Sequence, residues 1–280
     1  VPNRPEIITP RLLREWPLPD PQGGKEARGT VLVVGGSRFN PGAVLLAGEA
    51  ALRAGAGRLQ LAVADETAIP LSIAVPEAKV VGFPSGGEPL PEQVTELAAK
   101  ADVILIGPGL DDIEQTDALL RQVLGAAGPE TGVALDAYAL GALSKDPSLL
   151  RQQRAVLTPN LTEAEHLLGR APGDDLGAAS LALAEKYRAV VSLFGHIADP
   201  AGGLWREESA DVGLGTSGSG DVRAGIVAGL LGRGAEPAQA ACWAAFAHAV
   251  SGQRLAPRHG RTGFLARELV GEVAFTLATV

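Results

Sequence analysis

The chain has 280 residues, 46% of them apolar, and carries 24 Lys and Arg against 32 Asp and Glu for a net charge of −8. So acidic a chain, with no basic run interleaved with aromatics, argues against nucleic acid as a partner, and any phosphate ligand must be held locally, by backbone amides and a bound cation. The single cysteine, Cys242, excludes an intrachain disulfide and fits a reducing, cytoplasmic setting; residues 1–16 show no signal peptide, and the longest apolar run, Ala240 to Val250, is too short to span a bilayer.

Residues 1–28 are rich in proline and read as an irregular lead-in to one domain over 29–280. Thr30 to Val34 is a continuous β-branched run, the pattern of a strand buried on both faces. It ends in Gly35-Gly36-Ser37, and the alanine- and leucine-rich stretch 43–54 is helical. Strands are expected at 59–63, 78–83, 102–106, 132–135, 155–157 and 189–194, and helices at 90–100, 113–126, 162–168 and 176–187. A hairpin is expected over 197–205, turned by Asp199-Pro200-Ala201-Gly202-Gly203. Helices at 222–231, 237–255 and 263–277 close the chain. Strands alternate with helices, which implies a largely parallel sheet of roughly eight strands, covered on both faces.

The stretch Gly213 to Asp221 packs four glycines, two serines and a threonine in front of a helical pattern. A helix N-terminus has unpaired N–H groups and partial positive charge, and glycine lets backbone approach an anion closely. Asp221 is the odd member. A carboxylate beside phosphate is either a helix N-cap or a group that takes a proton or helps hold a cation. The other polar clusters follow strands: Gly35-Gly36-Ser37, Gly107-Pro108-Gly109, Asp136, Thr158-Pro159-Asn160 and Gly195-His196. In a parallel sheet the strand carboxyl ends share one edge, where ligands bind. These clusters should therefore gather beside Gly218–Asp221, which favours a functional Asp221.

The motifs run Gly-Thr-Val-Leu-Val-Val-Gly-Gly-Ser (29–37), Pro-Gly-Ala (41–43), Leu-Arg-Ala-Gly-Ala-Gly (52–57), Pro-Glu (76–77), Gly-Pro-Gly-Leu (107–110), Leu-Asp-Ala (135–137), Leu-Thr-Pro-Asn (157–160) and Gly-Ser-Gly-Asp (218–221). In this order they resemble the NAD(P)H-hydrate dehydratase family, a branch of the ribokinase-like superfamily. The resemblance implies a three-layer α/β/α ribokinase-like fold with a mostly parallel central sheet. It implies repair of hydrated NADH or NADPH with ADP or ATP, and with Mg²⁺ bridging the nucleotide phosphates. The amides of Gly218, Ser219 and Gly220 would hold the transferring phosphoryl, and Asp221 would accept the hydroxyl proton. Ala43, Gly109 and Asn160 fall on the hydrated-nicotinamide side, and Phe194, Gly195 and His196 on the nucleotide. The family also implies a homo-oligomer, a tetramer, and an epimerase partner domain not contained in these residues.

Two positions depart from the family pattern. Asn160 stands where His is usual, and Phe194 where Lys is usual. Losing a cation beside polyphosphate should weaken nucleotide binding by about 1–3 kcal/mol; Arg206 and His196 could substitute electrostatically. The Thr158-Pro159-Asn160…Glu163 pattern also resembles hydroxymethylpyrimidine-phosphate and pyridoxal kinases. A small-molecule kinase and a degenerate nucleotide-binding relative therefore stay open. Asn160 stays open between a cap for the 162–168 helix and a site residue; for others a plain role is expected: Asp136 as a cap or turn residue, His248 as a packed histidine, His259 in an exposed turn, Cys242 as a small buried hydrophobe. Glu163 belongs to a helix face, with a water-mediated metal contact as the alternative. No His, Cys and carboxylate spacing reads as a zinc site.

Overall fold

The computed structural model describes residues 4–86, 88–150 and 153–280. In chain order the elements are β1 (Glu6–Ile7), α1 (Pro10–Glu15), β2 (Thr30–Val34), α2 (Pro41–Arg53), β3 (Arg58–Ala64), α3 (Asp65–Ala74), β4 (Ala78–Phe83), α4 (Glu92–Lys100), β5 (Val103–Ile106), α5 (Ile113–Ala126), β6 (Gly132–Leu135) and α6 (Tyr138–Lys145). They continue as β7 (Arg154–Leu157), α7 (Leu161–Leu168), α8 (Leu176–Tyr187), β8 (Val190–Leu193), β9 (His196–Ala198), β10 (Leu204–Arg206), α9 (Ser219–Gly232), α10 (Pro237–His259) and α11 (Ala266–Ala278).

One ten-stranded sheet runs in the order β1-β10-β9-β8-β7-β6-β5-β2-β3-β4. From β8 to β4 every pairing is parallel; β9 is antiparallel to both β8 and β10, and β1 lies parallel to β10. The central strands β2, β5, β6, β7 and β8 are buried on both faces, as the β-branched runs require. Val31 and Val33 enter the core shared with α2, α9, α10 and α11, whereas Leu32 and Val34 enter the opposite core with α4 to α8. Alternation with period two thus divides one strand between two cores. Each fully buried Val or Leu stabilises the fold by about 1.5–3 kcal/mol.

Three stretches differ from expectation. Within the lead-in, whose residues 1–3 lie outside the described residues, Thr9 caps α1 by accepting from the Leu12 amide at 3.2 Å, with Pro10 at the first helical position. Ile8 N donates to Arg206 O at 2.8 Å and places β1 at the sheet edge. A strand this short carries no alternation to read. Helices α3 and α6 were not legible either. The first contains Pro70 and exposes Ile69 and Ile73, and the second starts after Ala137, at φ 50° with no side-chain cap. Finally, α10 runs on through Pro257 to His259, so His259 ends a helix and faces Glu268 at 3.7 Å.

The closest helix contact positions the site. Were Gly225 and Gly229 of α9 to carry a Cβ, it would lie 2.2 Å from Ala47 O and 2.3 Å from Ala51 O of α2. Only glycine allows that approach. It locks the middle and end of α9 to the middle and end of α2, and so fixes where the first turn of α9 falls.

Candidate active site

The glycine loop turns into α9 at Gly218, which has φ 85°. That φ favours glycine, and a Cβ there would also have to displace the tip of Leu46, whose Cδ1 lies 2.6 Å away. The three expected amides are not equivalent. Ser219 N–H already donates to Thr216 O at 3.2 Å, because the loop closes as a turn just before the helix. That corrects its place among the free amides. At Gly220 the space is open: a Cβ would find nothing within 4 Å. Ser219 contributes its side chain instead, with Oγ 2.8 Å from His248 Nε2. Burial, and then the Arg223 charge, push His248 down to about 3, so the imidazole is neutral at any physiological pH.

Asp221 sits in the first turn of α9. Burial raises its carboxyl to about 7, helped by the negative charges of Asp136 and then Glu163. A carboxyl so placed exchanges protons near neutrality. Asp136, at the end of β6, is buried and accepts from Thr158 Oγ1 at 2.7 Å. Burial raises it too, opposed by Arg223 and by bonds from Thr158 and the Ala137 amide. Asn160 and Glu163 form a reciprocal cap on α7: Glu163 N donates to Asn160 Oδ1 and Asn160 N to Glu163 Oε2, each at 2.9 Å. Asn160 thus caps α7 and also lines the cleft described next.

A cleft of about 1540 Å³ opens over the carboxyl ends of β7 and β8, the amino end of β9 and the start of α9. Phe194, Gly195, His196, Asn160, Ser219 and Gly220 all line it, so the structure gathers these sequence candidates. Phe194 has φ 46° and is 69% exposed, a large aromatic face held in a strained backbone at the mouth. Arg206 lines the same cleft but pairs with Glu208 at 3.4 Å. Ala43 and Gly109 lie elsewhere, at the switch point where β2 lies between β3 and β5. There Gly36 N donates to Pro108 O and Ser37 N to Gly109 O, both at 2.8 Å. A Cβ on Gly109 would sit 3.1 Å from Ala43 Cβ, so these two candidates adjoin. Beside them is a second opening of about 320 Å³ with Arg38, Phe39 and Leu110 in its wall.

Sequence reading missed Arg223, whose Nη2 donates to Thr158 O at 2.8 Å. The available signal was a charge inside an otherwise apolar helical run. His248 was expected only to pack, and it does, but it also holds Ser219.

Fold and site define a class. The chain has the ribokinase-like architecture, superposing on a ribokinase-like superfamily protein of Enterococcus faecalis with a TM-score of 0.84 at 24% identity, over 98% of this chain and 95% of that one. The family model described as NAD(P)H-hydrate dehydratase matches residues 31–274. The ADP-dependent (S)-NAD(P)H-hydrate dehydratase of Xanthomonas campestris is 43% identical over 96% of this chain and 95% of its own. The ADP/ATP-dependent NAD(P)H-hydrate dehydratase of Bacillus subtilis, co-crystallised with ATP and Mg²⁺, superposes with a TM-score of 0.86 at 27% identity, over 100% and 99% of the two chains. The chain belongs to the NAD(P)H-hydrate dehydratase family. It spans about half the length of the bifunctional NAD(P)H-hydrate repair enzymes it also matches. Among the described residues no helix is long and apolar enough to cross a membrane.

Proposed function

We propose that this protein dehydrates hydrated NADH and NADPH, a lyase reaction driven by ADP or ATP. Membership of the family supports the reaction, and the carboxyl of Asp221, raised to about 7 at the helix N-terminus, carries the mechanism. Hydroxide is a poor leaving group. Asp221 takes the proton of the ring hydroxyl as its oxygen attacks the terminal phosphorus of the nucleotide, breaking the bond to the bridging oxygen. The ring nitrogen's lone pair then expels phosphate. Loss of a proton from the neighbouring ring carbon restores the dihydropyridine.

The residues divide by side. Gly218 and Gly220 supply the backbone approach for the transferring phosphoryl, with Ser219 held by His248. Phe194, Gly195 and His196 take the nucleotide in the large cleft; Ala43, Gly109 and Asn160 take the hydrated ring. Mg²⁺ would arrive on the nucleotide and shield its phosphates. Among the described residues no group of three His, Cys, Asp or Glu side chains is placed to hold a metal. Glu163 gives one oxygen to its helix cap and keeps the other.

We infer a cytoplasmic homo-oligomer, a tetramer in line with the family, working beside an epimerase that interconverts the hydrate epimers. Exposed Ile69 and Ile73, one turn apart on α3, offer apolar surface to a second copy, and sedimentation would test it. The activity test mixes protein with hydrated NADH and Mg²⁺, adds ADP or ATP in parallel, and follows the near-ultraviolet absorbance of NADH. A nucleotide-dependent rise is expected and names the donor. A flat trace with a phosphorylated product would make the protein a kinase; a flat trace with nucleotide bound and nothing phosphorylated would make it a binding relative.

A further inference from the structure

We propose that Arg223 anchors the nucleotide's phosphates, its guanidinium donating spare Nη hydrogens to oxygens of the terminal phosphate. The inference rests on the large cleft being the nucleotide site.

From Val222 to Gly232, every residue of α9 except Arg223 is both uncharged and buried. A cation in such a setting is costly to desolvate and needs acceptors in return. A guanidinium has five N–H donors. One hydrogen bond is formed here, from Nη2 to Thr158 O at 2.8 Å, while Nε is sealed from solvent and has no partner. Among the described residues Arg223 makes no ion pair. Asp136 and Glu163 are near enough for their charges to act on it, but each has an oxygen already engaged, by the Thr158 hydroxyl and by the Asn160 amide. The fork is therefore charged, part-buried at the cleft wall and short of acceptors, and an oxyanion completes it.

Its position selects the anion. Arg223 lines the cleft with Ser219 and Gly220 on its own helix and with Pro159 and Asn160 across from it. The open Cα of Gly220 marks the space that a phosphate would fill beside it. The other arginines of the cleft are poorer candidates. Arg206 is paired with Glu208, and Arg4 is exposed. Asp174, Asp175, Glu207, Glu208 and Asp211 also line the cleft, so without a part-buried cation the field would repel a polyphosphate.

A strut would look similar in outline, since the bond to Thr158 O ties α9 to the end of β7. Calorimetric titration of ADP and of adenosine separates the two roles, because adenosine has no phosphate. The native protein is compared with Arg223→Met and with Arg223→Gln, which keeps an amide donor for the Thr158 carbonyl. The expected result is an ADP affinity about ten- to a hundredfold weaker in both variants with adenosine affinity unchanged. Equal ADP affinity in native protein and Arg223→Gln overturns the proposal, as does an equal loss for ADP and adenosine. Should Arg223→Met not fold, Arg223→Gln decides alone. Native protein that takes up no ADP would instead sink the nucleotide reading of the cleft.

Discussion

Along the single helix α9, glycine serves two opposite ends. At Gly220, in the first turn, an added Cβ would meet nothing within 4 Å; at Gly225 and Gly229, further along, it would run into the α2 backbone at 2.2 and 2.3 Å. The first glycine keeps a space empty, and the other two close one. The same helix therefore has a chemical end, held open for a ligand, and a structural end, jammed against its neighbour so that the open end stays in place. If that division is right, substitutions at the two ends should separate activity from stability almost completely.

The largest effect belongs to the chemical end. Asp221→Asn keeps the shape of the side chain and removes the proton acceptor. We expect kcat to fall by about 10²–10⁴-fold, the usual contribution of a general base, with ADP affinity nearly unchanged. The fold should not suffer. The Asp221 carboxyl lies above its ordinary value of 3.8, so the stability it contributes is fully present below that value and is lost as pH rises through about 7. The asparagine variant should lack that loss. A variant that keeps its turnover, or that unfolds, would make Asp221 a cap rather than a base.

Gly225→Ala tests the structural end. Alanine is favoured over glycine in a helix by about 0.5–1 kcal/mol. The backbone of α2 must nevertheless yield to a Cβ placed 2.2 Å from a carbonyl oxygen. Overpacking of this kind costs about 1–3 kcal/mol. A net fall in Tm of roughly 2–8 °C is expected, with kcat changed far less than in Asp221→Asn. A rise in Tm would show that α2 and α9 are free to move apart.

These two ends were not equally legible in sequence. The parallel sheet was, because β-branched runs buried on both faces leave a continuous apolar signature, as in Val31 to Val34. The convergence of glycine clusters at one edge followed from topology alone. What sequence could not supply was the neighbour of each glycine. Gly220 and Gly225 are identical letters five residues apart, and only the position of Ala47 tells them apart. Arg223 escaped for a related reason: its meaning lies in acceptors that are missing, and spacing does not display an unpaired Nε. Asn160 was readable as a cap because the cap partner, Glu163, is local. His248 was read as a packing residue because its partner, Ser219, is 29 positions away.

Gly220→Ala returns to the chemical end with a smaller change. The methyl group meets no protein atom, so Tm should hold or rise slightly. It does project into the space assigned to the phosphoryl group, and ADP affinity should weaken by about tenfold, or about 1.4 kcal/mol. Calorimetry alongside a thermal melt reads both quantities. Unchanged affinity would mean that the phosphate lies elsewhere, and the open space at Gly220 would lose its meaning.

The smallest expected effect is the most specific. The Asp221 carboxyl is raised first by burial and then by the charge of Asp136. Asp136→Asn removes that charge while its amide oxygen can still accept from the Thr158 hydroxyl. The carboxyl of Asp221 should then fall toward its ordinary value without reaching it, since burial remains. The base works deprotonated, so the acid limb of kcat/KM, expected near pH 7 in the native protein, should move to lower pH, by about one pH unit or less. Stability should follow in step: the loss on raising pH from about 4 to about 7 becomes shallower, because Asp221 is less reluctant to ionise in the folded state. An acid limb that stays in place would show that the charge of Asp136 does not set Asp221. The open end of α9 would then owe its chemistry to exclusion of water and to Glu163, and not to the carboxylate at the end of β6.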